Sequence, residues 1–91
     1  MTPSKRDANE AELIKLWRGV GAVVIEMDRN AGFDLLVIHR GEVYLVEVKN
    51  EGKRYRLTDA ERARCTEVEA VGVPYSIVQT ADEALELIGV R

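Results

Sequence analysis

One stretch of the chain, FDLLVIHRGEVYLVEVK at residues 33–49, contains two aliphatic and β-branched runs separated by Arg40 and Gly41. Residues of this kind favour strands, and a two-residue connection that contains glycine is typical of a tight β-hairpin. Counting outward from this loop places Asp34 opposite Glu47. The stretch therefore predicts two paired strands with two carboxylates facing each other near one end.

Side chains alternate between the two faces of a strand, so the same register predicts which residues share a face. Asp34, Glu47 and Lys49 fall on one face, next to a row of aliphatic residues. The other face is almost entirely apolar, and His39 lies on it, so we interpret His39 as structural. Because both faces are largely apolar, we expect the sheet to be covered on both sides.

The sequence on either side of the hairpin predicts the remaining elements. Apolar residues recur at helical spacing over residues 13–20, and residues 22–27 form a β-branched run. Capping boxes at residues 58–61 and 80–83 begin two further helices, with a strand at residues 73–79 between them. The order α-β-β-β-α-β-α, with a parallel crossover into the last strand, predicts an α/β fold whose mixed four-stranded sheet is flanked by helices.

The composition excludes several classes of protein. Ninety-one residues predict one domain with a modest core, and 46% hydrophobic residues are too many for a disordered chain. No apolar run approaches the roughly 20 residues that span a membrane, and the polar start does not resemble a secretory signal. The single Cys65 cannot close an intrachain disulfide. We expect a cytoplasmic domain over residues 9–91 that follows a flexible lead at residues 1–8.

The charge distribution leaves nucleic acid open as a partner. The net charge of −3 argues against an indiscriminate polyanion binder. Residues 49–64, however, contain six basic side chains and three acidic ones. A basic stretch directly after the hairpin is either a solvated loop or a surface that contacts phosphate groups.

The opposed carboxylates need an explanation, since like charges on paired strands are unfavourable. Coulomb's law gives about 3 kcal/mol for two carboxylates about 5 Å apart at an effective dielectric of about 20. Lys49 offsets only part of this repulsion. A shared divalent cation would remove it, and oxygen ligands suit Mg²⁺ or Mn²⁺. The alternative is a salt bridge or a protonated carboxylate at the sheet end, and the residues alone leave both open.

Asp34, followed after twelve residues by Glu47-Val48-Lys49, resembles the D…(D/E)-x-K core of the PD-(D/E)XK nuclease superfamily. The order of elements resembles the restriction-endonuclease-like αβββαβ core of that superfamily. The likeness is closest to the small VRR-NUC and Holliday-junction-resolvase-like domains of phages and bacteria. These have an early helix with a glutamate, here at Glu10, and a Leu-Ser/Thr loop after the lysine, here at residues 57–58.

The resemblance implies a catalytic set composed of Glu10, Asp34, Glu47 and Lys49. Asp34, Glu47 and the backbone carbonyl of Val48 would ligate Mg²⁺ or Mn²⁺. Lys49 would orient or deprotonate the attacking water and stabilise the developing charge. For Glu10 the alternative is an acid favoured by the dipole of the helix, and Glu12 is also available for the helix-1 role.

Two positions depart from the pattern of these domains. Phe33 stands where proline usually precedes the first acid. Glu61 stands where such domains often carry glutamine, and the alternative for Glu61 is the capping box that it forms with Thr58. We expect DNA contacts from a group of polar side chains around the site: Arg29, Asn30, Lys53, Arg54, Arg56 and Glu61.

The resemblance predicts a divalent-metal-dependent endodeoxyribonuclease that acts on branched or duplex DNA. Because the protomer is small, we expect a homodimer with two sites. A recombination or replication protein is a further expected partner, and a membrane is not. The alternative function is a catalytically inactive DNA-binding or assembly module that retains the nuclease fold.

Overall fold

The computed structural model describes residues 9–90, so the predicted lead at residues 1–8 lies outside the described residues. Three α-helices and four strands follow one another in the predicted order. The helices are α1 (Glu10–Gly19), α2 (Asp59–Glu69) and α3 (Ala81–Leu87). The strands are β1 (Val23–Glu26), β2 (Leu35–His39), β3 (Glu42–Val48) and β4 (Tyr75–Val78), and a short 3₁₀ turn spans Arg29–Ala31.

The four strands form one mixed sheet in the order β1-β2-β3-β4. The pairs β1–β2 and β2–β3 are antiparallel, whereas β3 and β4 are parallel and are connected through α2. The α/β fold with a mixed four-stranded sheet flanked by helices is therefore confirmed. Both capping boxes are also present, and each threonine side chain accepts a hydrogen bond from the glutamate amide three residues later.

The hairpin has the predicted register, in which His39 pairs with Glu42 and Leu35 pairs with Val46. Arg40 and Gly41 both have positive φ angles, as the two central residues of a tight hairpin turn require. The ladder ends at Leu35, so the expected pairing of Asp34 with Glu47 lies one residue beyond it. Asp34 instead donates its amide hydrogen to the carbonyl of Val46 at 3.0 Å.

The core lies between one face of the sheet and the pair of helices α1 and α3. Trp17 is completely buried there, and its indole Nε1 donates to the carbonyl of Ala84 in α3 at 3.0 Å. The sheet contributes a buried set of aliphatic residues, which consists of Val24, Leu35, Val37, Val46, Val48 and Val78. His39 is 9% exposed and follows the same face, as the alternation predicted.

The opposite face of the sheet is only partly covered, so the expectation that both sides are covered is met in full only on the core face. Val23, Ile25 and Val43 remain about half exposed. We call these three residues the open sheet surface. Both α1 and α3 pack on the core face, which leaves only α2 for the other side, and α2 packs near β4. Within residues 9–90, no helix is long and apolar enough to cross a membrane.

Candidate active site

Three of the four predicted catalytic residues, Asp34, Glu47 and Lys49, meet where β2 begins and β3 ends. Asp34 immediately precedes β2, Glu47 lies in β3, and Lys49 immediately follows β3. The side chain of Asp34 accepts a hydrogen bond from the backbone amide of Val48 through Oδ2 at 2.8 Å. This bond fixes one carboxylate against the end of the strand that carries the other.

Glu47 is a buried acid, with only 3% of its surface exposed. Burial, a hydrogen bond with Glu61 and the negative charges of Asp34 and Glu61 outweigh the opposing charge of Lys49, and together they raise the pKa of Glu47 to about 9. Its Oε1 atom is buried and has no hydrogen-bond partner among the described residues. The site thus contains an acid whose ionised form needs an additional positive partner.

Lys49 contacts two carboxylates at the same time. Its Nζ lies 3.3 Å from Oε2 of Glu47 and 3.1 Å from Oε1 of Glu61. Burial lowers the pKa of Lys49, but its hydrogen bonds and the charges of these two glutamates raise it, and the net shift is upward. Lys49 is therefore held as an ammonium group between these two glutamates, and its predicted roles in the reaction stay predictions.

A single carboxylate oxygen of Glu61 accepts two hydrogen bonds. Its Oε1 accepts from the backbone amide of Thr58 at 2.9 Å, completing the capping box of α2, and also accepts from Lys49. Burial raises the pKa of Glu61, but hydrogen bonds from its neighbours outweigh this, so the net shift is downward. The capping role was predicted, whereas the contact with Lys49 was not, because it depends on where α2 packs.

A close approach between α2 and the segment before Asp34 determines where Glu61 lies. Gly32 has φ of +81°, and a Cβ atom placed there would lie 2.7 Å from Cβ of Arg64 in α2. The Arg64 Nε donates to the carbonyl of Ala31 at 2.7 Å. From β4, the buried Tyr75 hydroxyl donates to the Gly32 carbonyl at 2.6 Å, and burial raises the pKa of this tyrosine.

The beginning of α1 is attached to the same edge of the sheet. Asn9 precedes this helix, and its Nδ2 donates to the carbonyl of Lys49 at 3.2 Å and to that of Gln79 at 2.7 Å. Glu10 follows directly and is buried, whereas Glu12 is exposed. Of the two candidates for the helix-1 acid, Glu10 is therefore the one that the fold encloses.

The predicted basic loop is held in place by Gln79, which follows β4. Its Nε2 donates to the carbonyls of Asn50 and Lys53 at 2.8 and 2.9 Å. Lys53, Arg54 and Arg56 are exposed in this loop, beyond the end of β3. Sequence reasoning missed both Asn9 and Gln79, because an amide that supports a loop has no spacing signature.

The other two expected DNA contacts lie on the 3₁₀ turn that precedes Gly32. Arg29 and Asn30 are both exposed there. Asp28 caps this turn by accepting from the Asn30 amide at 2.8 Å. Arg29 and Asn30 are therefore accessible to a ligand, and whether they contact DNA stays a prediction.

No cluster of three or more His, Cys, Asp or Glu residues among residues 9–90 has the geometry of a metal site. The donor types nevertheless fit a hard divalent cation, since Asp34 and Glu47 supply carboxylate oxygens. The unpartnered Oε1 of Glu47 is a donor atom that a cation would satisfy. Ligation by the Val48 carbonyl stays a prediction.

No family model matches the sequence, and comparison with curated proteins gives no match. Among solved structures, the chain is similar to one described as a "VRR_NUC domain". The TM-score is 0.65 and the sequence identity is 22%, over 88% of this chain and 94% of that chain. This likeness confirms the resemblance at the level of the fold: the chain has the fold of the solved VRR_NUC domain.

Proposed function

We propose that this protein is a divalent-metal-dependent endonuclease that hydrolyses phosphodiester bonds in branched or duplex DNA. One observation carries the proposal: the buried Glu47 lies beside Asp34 and Lys49 at the end of β3 and retains an unpartnered carboxylate oxygen. An Asp/Glu pair with an adjacent lysine is the residue set that the D…(D/E)-x-K pattern requires. The VRR_NUC fold supports the same reading.

In this proposal, Asp34 and Glu47 hold Mg²⁺ or Mn²⁺, together with the carbonyl of Val48. A bound cation would polarise the phosphodiester and stabilise charge on the leaving oxygen. Lys49 donates hydrogen bonds to the attacking water and stabilises negative charge that develops on the phosphate. Glu10 supports the site from the beginning of α1.

The exposed basic residues next to the site suggest how DNA is held. Lys53, Arg54 and Arg56 follow the strand that carries Glu47, and phosphate contacts from such residues would fix the position of the backbone. Arg29 and Asn30 would extend the contact from the 3₁₀ turn. The Gln79 bonds to the loop support this assignment, since they fix the shape of the segment that begins at Asn50.

The decisive experiment is a cleavage assay with Mg²⁺ or Mn²⁺ on plasmid, linear, single-stranded, flap and four-way-junction DNA. We expect the wild type to cut at least one of these, and the variants Asp34→Asn and Lys49→Ala to lose the activity. The exposed Glu12→Gln variant is the control and should cut normally. A wild type that binds DNA but cuts none of the substrates would favour the inactive binding module instead.

We also propose that two copies of the chain associate. The open sheet surface supports this, because the strand register places its three aliphatic residues on one face and they stay exposed in the single chain. Two sites in one assembly would suit cleavage of both strands of a duplex or junction. Light scattering coupled to gel filtration tests this proposal, because it measures whether the particle in solution has the mass of one chain or of two.

A further inference from the structure

Glu61 links the beginning of α2 to the lysine of the site. The two hydrogen bonds that its Oε1 accepts come from groups with different roles, the Thr58 amide at 2.9 Å and the Lys49 amine at 3.1 Å. A glutamine at this position would complete the same capping box, because an amide oxygen also accepts from the backbone. The negative charge of Glu61 is therefore not needed for the cap, and its consequence must be sought at Lys49.

The ammonium group of Lys49 forms ion pairs with both Glu61 and Glu47. The distance to Glu47 is 3.3 Å, similar to the distance to Glu61. An ammonium group and a cation compete for the same carboxylate, because both are positive and like charges repel strongly at short range. A cation that binds Glu47 thus weakens the hold of Glu47 on Lys49. Glu61 then remains as the partner of Lys49.

We propose that Glu61 is a positioning residue that retains Lys49 in the site when Glu47 takes up a divalent cation. The inference rests on the proposed function, because it assumes that Glu47 is a metal ligand. The geometry supports it on two points. The Glu61 oxygen is fixed by the first turn of α2, and α2 is itself fixed against Gly32 through Arg64.

A double-mutant cycle on metal binding tests this role without any DNA. Titration calorimetry with Mn²⁺ is carried out on the wild type, Glu61→Gln, Lys49→Met and the double variant. We expect Glu61→Gln to weaken Mn²⁺ binding by about threefold or more when Lys49 is present, because Lys49 then depends on Glu47 alone. In the Lys49→Met background, the same Glu61→Gln substitution should weaken Mn²⁺ binding by a factor that is smaller by about threefold or more.

Equal losses in both backgrounds would overturn the inference, because Glu61 would then act on the cation by its own charge. Unchanged binding in Glu61→Gln, or no Mn²⁺ binding by the wild type, would overturn it as well. Thr58→Ala is the control for a merely structural role, since it weakens the helix cap and keeps the charge of Glu61. We expect its Mn²⁺ affinity to match the wild type, and a loss as large as that of Glu61→Gln would contradict the proposal.

The cleavage assay separates this inference from the proposed function. If the wild type cuts DNA but the cycle shows no coupling between Glu61 and Lys49, only the inference fails. If the cycle shows the coupling but no DNA substrate is cut, the nuclease proposal fails and the positioning of Lys49 stands.

Discussion

Two opposing requirements act on Glu47, one from its burial in the fold and one from its proposed role as a metal ligand. Burial and the neighbouring acids favour its protonated form, whereas binding a cation requires the carboxylate. Its folded pKa of about 9 lies above the ordinary 4.5 of a glutamate. Between these two values the unfolded chain has released the proton and the folded chain keeps it. The free energy of unfolding therefore falls as the pH rises through this range.

The variant Glu47→Gln removes this dependence while keeping the size of the side chain. We expect it to be more stable than the wild type by about 1–3 kcal/mol at pH 8, because folding no longer requires a carboxyl group to take up a proton that the unfolded chain has released. The difference should shrink towards pH 5. Urea unfolding at several pH values measures it, with the exposed Glu12→Gln as the control. A difference that stays constant with pH would contradict the raised pKa of Glu47 in the folded chain.

At this scale, the sequence was informative about residues that share one hairpin. The loop at Arg40 and Gly41 determined the register, and the register brought Asp34, Glu47 and Lys49 together. It did not predict that the ladder would end at Leu35, or that the Asp34 side chain would accept a hydrogen bond from the Val48 amide. The contact between Lys49 and Glu61 was also beyond reach, since it joins two elements through packing.

At the scale of elements, the position of α2 depends on a glycine. Gly32 allows Arg64 to approach its backbone to a distance that a Cβ atom would not permit. A side chain at residue 32 would push α2 outward, and Glu61 would move with it. The capping box predicted where α2 begins, but nothing in the pattern of its own residues indicated which part of the fold it touches.

The variant Gly32→Ala tests this packing against a matched glycine. Gly72 also has a positive φ angle, +88°, but nothing lies within 4 Å of the Cβ position there. Both alanine variants carry the backbone strain, and only Gly32→Ala adds the clash. We expect it to be less stable than Gly72→Ala by about 1–3 kcal/mol. Thermal and urea unfolding measure the difference, and equal stabilities would show that α2 is free to shift.

Asn9 attaches α1 to the ends of β3 and β4, so its loss should loosen the beginning of that helix. We expect Asn9→Ala to lower the free energy of unfolding by about 1–3 kcal/mol, because two carbonyl groups lose their donor. Amide hydrogen exchange in the first turn of α1 should become faster. The exposed Asn30→Ala variant is the control. Unchanged exchange in Asn9→Ala would mean that the core contacts of α1 hold its first turn without Asn9.

At the scale of the whole molecule, a net negative chain carries three exposed basic residues, Lys53, Arg54 and Arg56, in the loop that follows β3. If this loop grips DNA, binding should depend on salt through the phosphate contacts that it makes. We expect the double variant Arg54→Ala with Arg56→Ala to reduce the slope of log K against log salt by about 1.8, about 0.9 for each lost contact. In the control variant, the exposed Lys15 and Arg40 are both replaced by alanine, and we expect the slope to stay unchanged.

An unchanged slope in the Arg54 and Arg56 variant would remove the loop from the interface. Fluorescence anisotropy with a labelled junction over a range of salt concentrations gives both slopes. The control variant has the same net charge, so a general electrostatic effect would appear in both proteins. The comparison therefore separates the effect of where the charges lie from the effect of how many charges are removed.

The open sheet surface is a feature of the whole molecule that the sequence did not predict. Alternation identified two apolar faces, yet it could not assign three helices to them. Trp17 and Ala84 bind α1 to α3 on the core face, so only α2 is left for the other one. We expect Ile25→Asp to convert a dimer into a monomer in light scattering, while Val71→Asp, exposed at the end of α2, leaves the mass unchanged.

The attachment of Asn9 to two strand-end carbonyls has a practical consequence for anyone who prepares this protein. A recombinant version that starts at Glu10 would leave both carbonyls without this donor and place a charged terminal amine near the ends of β3 and β4. An affinity tag joined directly to that position would crowd the same edge. Purification handles are therefore better fused behind α3, and protease sites are better kept several residues ahead of Asn9.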